Sequence, residues 1–196
     1  MIELRTPAEI EQMKAAGSFV GRVLEATRDA AAVGVNLLEL DALAHDMIRA
    51  EGAESCYIDY HPSFGGSPFG KVICTSVNDA VLHGLPHNYK LQDGDLLTLD
   101  FAAIVDGWAA DSALSVVVGT PRDEDLKLIA TTEKALEAGI AAVFDAIRST
   151  EADSPEGEDE SADESSAEDD DTAPEDSGVT FALLTELNRL WERPPV

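Results

Sequence analysis

The sequence is poor in cysteines, long apolar runs and basic residues. Its two cysteines, Cys56 and Cys74, make no zinc-binding spacing, and without an export signal a disulfide between them is not expected. No apolar run approaches the ~18 residues of a membrane span, and the N-terminus lacks the apolar core of a signal peptide. Only 13 Lys and Arg stand against 39 Asp and Glu, a formal net charge of −26. These deficits argue against nucleic acid and anionic membranes as partners and predict a cytoplasmic protein.

Most of the acidic excess lies in one stretch of the chain. Residues 151–177 hold 14 acidic residues and no Lys or Arg, which leaves 25 acids against 13 bases elsewhere. Low-complexity, self-repelling sequence of this kind predicts disorder. We expect a folded region at 1–148, a disordered acidic linker at 149–178 and a short amphipathic helix at 179–196. The linker composition fits an acidic insertion, a solubilising arm or an out-of-frame translation.

The folded region has mixed helix and strand signals. Capping signals at Thr6 and Asn36 predict one helix that runs to about Ala32 and a second that ends at Gly52. A third helix is predicted from Thr120 onward, with an apolar face at Leu126, Ile129, Leu136, Ile140, Val143 and Ile147. Three short runs have the composition of strands: residues 71–75, 96–104 and 108–118.

Two aspartates lie within the apolar segment LTLDFAAIVDGWAADSA. The Asp-Gly pair in the middle of this segment is a strong signal for a two-residue hairpin turn. In the register that this turn sets, Asp111 faces Ala102 and Asp100 faces Ala113. The two carboxylates therefore become diagonal neighbours on one face of the hairpin, with Cβ atoms at most ~8 Å apart.

Two carboxylates this close would repel each other in an apolar sheet, so either one stays protonated or cations lie between them. Small neighbours on the same face leave room for ions and water: Ala102, Ala109 and Ala113. Oxygen donors on adjacent strands suit divalent metals, and two-metal hydrolases hold their ions ~3.5–4 Å apart. The alternative is structural: Asp111 caps a strand end, and Asp100 binds backbone or an arginine.

His83 has the strongest local signal among the four histidines. It follows a predicted strand and an Asn-Asp turn and precedes a glycine, a loop position suited to function. Simple solvent exposure is the alternative. His45 has helical spacing and is assigned to the surface or an edge. His61 and His87 could border a cleft, but neither is assigned a role.

Three stretches together form a specific pattern: RTPAEIEQMKAAG, VICTSVNDAVLHGLP and LQDGDLLTLDFAAIVDGWAADSALSVVVG. With them the chain resembles the bacterial type I methionine aminopeptidases over residues 1 to about 146. The resemblance implies an α+β fold, namely the N-terminal half of a pita-bread fold with a curved antiparallel sheet and helices on one face. It also implies metal-dependent removal of the N-terminal methionine from nascent proteins by a two-metal methionyl aminopeptidase.

The same resemblance assigns roles to individual residues. Asp100 and Asp111 are implied to be metal ligands, and His83 is implied to contact the substrate. Tyr57 and Cys74 fall where the family lines its methionine pocket, although composition alone makes Cys74 a small apolar packing residue. The implied cofactors are divalent ions (Co, Mn, Fe or Zn), two per site. The implied partners are nascent peptides near ribosomes, with no direct contact to nucleic acid or membrane.

Part of the family pattern is missing. The family uses five metal ligands, and one histidine and two glutamates among them come from the second half of its fold. Here no histidine follows His87, and the sequence leaves the pattern after Phe144. We therefore expect a truncated aminopeptidase with weak or no activity. The alternative is a non-catalytic binding or subunit-docking protein derived from that fold, with a partner that supplies the second half.

Overall fold

The computed structural model describes residues 5–61 and 67–152, and the chain divides into two compact units, residues 1–132 and 133–196. In order, the described elements are α1 (Pro7–Ala30), α2 (Leu37–Glu51), β1 (Glu54–Ser55), β2 (Cys74–Val77), β3 (Leu96–Val105), β4 (Trp108–Val117) and α3 (Asp123–Ala152). The described part of the second unit is the continuation of α3. No helix among the described residues is both long enough and apolar enough to cross a membrane.

The two N-terminal helices begin where the sequence predicts. The Thr6 hydroxyl accepts the Glu9 N–H at 3.4 Å, and the Glu9 carboxylate accepts the Thr6 N–H at 2.8 Å, which completes a capping box. Asn36 caps α2 in the same way, and α2 ends at a left-handed glycine as predicted. The first helix is slightly shorter than expected, since it ends at Ala30 and not near Ala32.

Strand β3 is the centre of an antiparallel sheet. Strand β4 pairs along one edge of β3, so β1 and β2, which pair with different stretches of β3, share its other edge. Alternate side chains of β3 are fully buried in the core with residues of α1 and α2, and Phe101 packs edge-on against Phe19 with ring centroids 6.1 Å apart. The predicted fold class, an antiparallel sheet with helices on one face, is confirmed. The opposite face of the β3–β4 hairpin carries the two aspartates.

The hairpin turn has the predicted form. Asp106 and Gly107 both have positive φ, 51° and 84°, as a type I′ turn requires. Val105 pairs with Trp108, and the pairing continues to the far end of both strands without interruption. The predicted register is therefore confirmed.

A strand is present near residues 71–75, but its predicted bounds are wrong, because β2 spans Cys74–Val77. The Val72 N–H donates to Asp41 Oδ1 at 3.0 Å, and the Lys71 ammonium lies 3.1 Å from Asp41 Oδ2. The N–H of Val72 is therefore hydrogen-bonded to a side chain of α2 and not to a neighbouring strand. Val72 is nevertheless fully buried, which explains its apolar character.

Helix α3 begins later than predicted, at Asp123 and not at Thr120. The Thr120 N–H donates to Asp93 Oδ1 at 2.6 Å, and the first helical carbonyl acceptor is that of Arg122. The helix continues through residue 148 to Ala152. The remainder of the predicted 149–178 linker and the predicted helix at 179–196 lie outside the described residues. Three residues of the predicted apolar face of α3 are each about half exposed: Leu126, Leu136 and Val143.

Candidate functional site

The hairpin brings Asp100 and Asp111 to the same face of the sheet. Asp111 is opposite Ala102, and Asp100 is opposite Ala113, as the turn predicts. The Tyr57 hydroxyl lies 3.0 Å from Asp100 Oδ1 and 3.5 Å from Asp111 Oδ1. Both carboxylates thus lie within reach of one atom, in a site open to solvent on the Asp111 side.

No positive side chain pairs with these two carboxylates among the described residues, where the ion pairs all involve other acids. Burial, followed by the charge of Asp100, raises the pKa of the Asp111 carboxyl. A hydrogen bond from Tyr57 and the charge of His83 partly oppose that rise. The arginine-bound alternative for Asp100 is not what the structure shows. The pair is electrostatically suited to a cation.

The contact of Tyr57 with the two aspartates was not predicted, since the resemblance implied only that Tyr57 lines the methionine pocket. Tyr57 follows β1, whose two residues pair with β3 at Ala103 and Ile104, and this pairing carries the phenol to the aspartates. The Tyr57 ring packs edge-on against Phe69, with centroids 5.9 Å apart. Burial and the Asp100 charge raise the pKa of the phenol, so it remains a protonated donor at neutral pH. A two-residue strand is too short to give a periodic signal, so nothing local revealed this contact.

Cys74 is directly opposite Asp100 on β2 and is buried. Burial and the two aspartate charges raise the pKa of its thiol to about 12. A thiol in this state is not nucleophilic near neutral pH, because the thiolate is the reactive form. Cys74 is therefore a wall of the site, in agreement with its prediction as a small packing residue.

His83 lies in the loop between β2 and β3 with its side chain exposed. Its backbone has φ 52°, a left-handed conformation that is uncommon outside glycine. The following Gly84 is fastened to β2: its N–H donates to Ser76 Oγ at 3.1 Å, and its carbonyl accepts the Thr75 N–H at 2.7 Å. This attachment fixes the backbone next to His83. The charge of His83 lowers the pKa of the Asp111 carboxyl and is the smallest of the influences on that group.

The other histidines are engaged elsewhere or remain unassigned. His45 lies on α2, where its Nδ1 is 2.8 Å from Arg49 Nη1, and His87 Nδ1 is 2.9 Å from the Leu85 carbonyl oxygen. Across residues 5–61 and 67–152, no three His, Cys, Asp or Glu side chains are grouped as metal ligands. The described site therefore offers two protein donors, Asp100 and Asp111.

A buried polar cluster lies at the base of the β2–β3 loop that carries His83. The Asp95 carboxylate is 6% exposed and accepts hydrogen bonds from the Asn78 amide at 2.9 Å, the Tyr89 hydroxyl at 2.9 Å and the Gln92 N–H at 2.8 Å. Burial alone would raise the pKa of Asp95, but these three donors outweigh it and lower the pKa. Asn78 has φ 53° and also accepts the Leu96 N–H at 3.0 Å. The cluster ties the end of β2 to the start of β3.

Comparison with known proteins gives consistent matches. The profile of metallopeptidase family M24 matches residues 11–154. Methionine aminopeptidase 1 of Mycobacterium tuberculosis is 40% identical over 144 residues, which is 73% of this chain and 52% of that protein. Methionine aminopeptidase of Aquifex aeolicus is 36% identical over 136 residues, 69% of this chain and 53% of that protein.

A solved structure gives the same result. The crystal structure of methionine aminopeptidase from Rickettsia prowazekii matches with a TM-score of 0.66 and 31% identity, and the match covers 71% of this chain and 54% of that one. The chain spans about half the length of the curated relatives it matches. The predicted resemblance to the bacterial methionine aminopeptidases is confirmed for this part of their length.

Proposed function

The chain belongs to metallopeptidase family M24, and from that premise we propose that it acts in metal-dependent removal of the N-terminal methionine from nascent peptides. The observation that carries the proposal is the convergence of Asp100 and Asp111 on one face of the hairpin with no basic partner among the described residues. Two unpaired carboxylates in one partly buried site are costly unless a cation joins them. We propose that the site acts in the cytoplasm, where nascent chains emerge.

The donor chemistry of the site fits divalent cations. Asp100 and Asp111 would each contribute carboxylate oxygens, the ligand type that hard and borderline divalent ions prefer. Such ions, when bound, supply Lewis acidity toward a peptide carbonyl and lower the pKa of water. We propose Co, Mn, Fe or Zn, two ions per site.

His83 would contact the peptide beside the metal ligands. Its side chain is exposed, its charge acts on Asp111, and its neighbour Gly84 is fastened to β2. A non-glycine residue held in a left-handed conformation by its surroundings is typical of functional sites. Tyr57 and Cys74 complete the wall around the two aspartates.

Methionine release should be slow if Asp100 and Asp111 are the only protein ligands of the metal ions. Two carboxylates leave most coordination positions of two ions without a protein ligand, so the ions would be weakly fixed. The remaining donors would come from residues outside the described ranges or from a partner polypeptide that supplies the second half of the fold.

The test is methionine release from a Met-Ala-Ser peptide by the full chain with Mn²⁺, Co²⁺ or Fe²⁺. We expect slow release that requires metal and is abolished by Asp100→Asn and Asp111→Asn. Asp106→Asn is the matched control, because it makes the same charge change in the turn of the same hairpin. Release that is absent with every ion, or equal in the Asp100→Asn variant, would contradict the proposal.

A non-catalytic binding role is the second candidate. It is favoured by the two-donor site and by apolar side chains that are exposed on either side of His83: Val81, Leu82 and Leu85, at 88%, 61% and 49%. A binding protein would retain a labelled Met-Ala-Ser peptide without releasing methionine. Its affinity would fall when Leu82 is replaced by serine and would not change when Asp100 is replaced by asparagine. An aminopeptidase would show the opposite dependence on Asp100.

A further inference from the structure

Within residues 5–61 and 67–152, the Tyr57 hydroxyl is hydrogen-bonded to both candidate metal ligands. Its oxygen is 3.0 Å from Asp100 Oδ1 and 3.5 Å from Asp111 Oδ1. A phenol has one proton to donate, so the shorter contact to Asp100 is the principal hydrogen bond and the contact to Asp111 is the weaker branch. Two like charges are thus held around one donor dipole.

The phenol is fixed in this position from several directions. The Tyr57 and Ile58 N–H groups both donate to Ser55 Oγ, at 3.1 and 3.2 Å, which folds the chain sharply at the end of β1. The Phe69 ring packs against the edge of the tyrosine. Ser55 is paired with Ala103 of β3, the strand that also carries Asp100. The hydroxyl and its acceptor are therefore built on one sheet.

We propose that Tyr57 is a positioning residue for the metal ligands Asp100 and Asp111, an inference that rests on the proposed metal-dependent function. The phenol donates to Asp100 Oδ1 and fixes the orientation of that carboxylate, so its other oxygen would remain available to hold a cation. The same dipole moderates the repulsion from Asp111. This role differs from the lining of a methionine pocket that the resemblance implied for Tyr57.

Loss of the hydroxyl should weaken metal binding without unfolding the protein. Partners that orient a ligating carboxylate typically change metal affinity by about 10- to 100-fold when removed. Tyr57→Phe keeps the ring and its contact with Phe69 and removes only the donor. Tyr60→Phe makes the same chemical change three residues away, on a side chain that is 60% exposed, and serves as the matched control.

The experiment is a Mn²⁺ titration of the full chain in which electron paramagnetic resonance measures the free ion. The Asp100→Asn variant gives the background binding of Mn²⁺ to the acidic tail. We expect about a 10-fold weaker site in Tyr57→Phe and no change in Tyr60→Phe. An unchanged site in Tyr57→Phe, with binding lost in Asp100→Asn, would overturn the role of Tyr57 and leave the metal site standing. Equal binding in all variants would contradict the metal site itself. A fall in peptide affinity alone, with Mn²⁺ affinity unchanged, would return Tyr57 to the pocket role and overturn the proposal.

A measurement on the unmodified chain keeps the proposal testable if Tyr57→Phe does not fold. The sequence has three tyrosines, so ¹³Cζ labelling provides three resonances to compare: Tyr57, Tyr60 and Tyr89. Substoichiometric Mn²⁺ should broaden the Tyr57 resonance first, because its hydroxyl touches the ligands. Equal broadening of all three resonances would overturn the proposal.

Discussion

Replacement of Gly84 by alanine tests how the loop that carries His83 is held on the sheet. A Cβ at residue 84 would lie 2.3 Å from the Thr75 carbonyl oxygen and 2.8 Å from Ser76 Cα. Both are backbone atoms within β2, so the loop must move away. That movement breaks the hydrogen bond from the Gly84 N–H to Ser76 Oγ and the one from the Thr75 N–H to the Gly84 carbonyl.

The cost follows from these two bonds. Each contributes about 1 kcal/mol to the free energy of unfolding, and an amide left unpaired in a buried position costs about 1–3 kcal/mol. Thr75 is 2% exposed, so its N–H would find little water. We expect Gly84→Ala to lower the free energy of unfolding by about 2–3 kcal/mol. Gly17→Ala is the control: no atom lies within 4 Å of its Cβ, and alanine in an exposed helix should stabilise by about 0.5–1 kcal/mol.

Urea unfolding followed by circular dichroism measures both variants, and the imidazole resonances of His83 report the loop. Gly84→Ala should shift those resonances and weaken the binding of a Met-Ala-Ser peptide. Its Mn²⁺ affinity should remain, because Asp100 and Asp111 belong to the hairpin and not to the loop. An unfolding free energy equal to that of the unmodified chain would refute the close-contact reasoning. Unmoved His83 resonances would refute the link between Gly84 and the site.

Three further predictions concern titratable groups. Without metal at neutral pH, Asp111→Asn should stabilise the fold by about 0.5 kcal/mol, the size of an exposed charge interaction. The pKa of Asp111 is raised by burial and by Asp100, so this gain should vanish in urea titrations as pH falls below the ordinary aspartate pKa. Asp95→Asn should cost about 2 kcal/mol at pH 7, since three donors lose a charged acceptor. The pKa of Asp95 is lowered, so its contribution is present above the ordinary carboxyl pKa, and variant and unmodified chain should converge in acid. Cys74, with a pKa near 12, should react with iodoacetamide at pH 8 far more slowly in the native protein than in urea, as peptide mass spectrometry would measure.

Local signals in the sequence predicted the parts of the fold that depend on near neighbours. The Asp106-Gly107 turn sets the register of the strands on either side, so the same-face placement of Asp100 and Asp111 follows from residues close in sequence. The helix starts at Thr6 and Asn36 follow from capping residues within one turn. These features need no knowledge of the rest of the fold.

Contacts between distant segments could not be predicted in this way. The backbone just before β2 is held by Asp41 of α2, whose carboxylate accepts the N–H of Val72, 31 positions away. The contact from Tyr57 to Asp100 spans 43 positions and depends on the pairing of β1 with β3. Such contacts arise from tertiary packing, and neither periodicity nor turn chemistry encodes them. The resemblance placed Tyr57 near the site but assigned it a different role.

The most direct test of a shared cation site is a calorimetric Mn²⁺ titration of the full chain and of three variants that each remove one carboxylate. Asp100→Asn and Asp111→Asn should both lose the tightest saturable binding, because each removes half of the donor pair. Asp106→Asn should keep it, and the acidic tail contributes the same background to all four titrations. Binding that is identical in all four proteins would contradict the claim that Asp100 and Asp111 together hold a divalent cation.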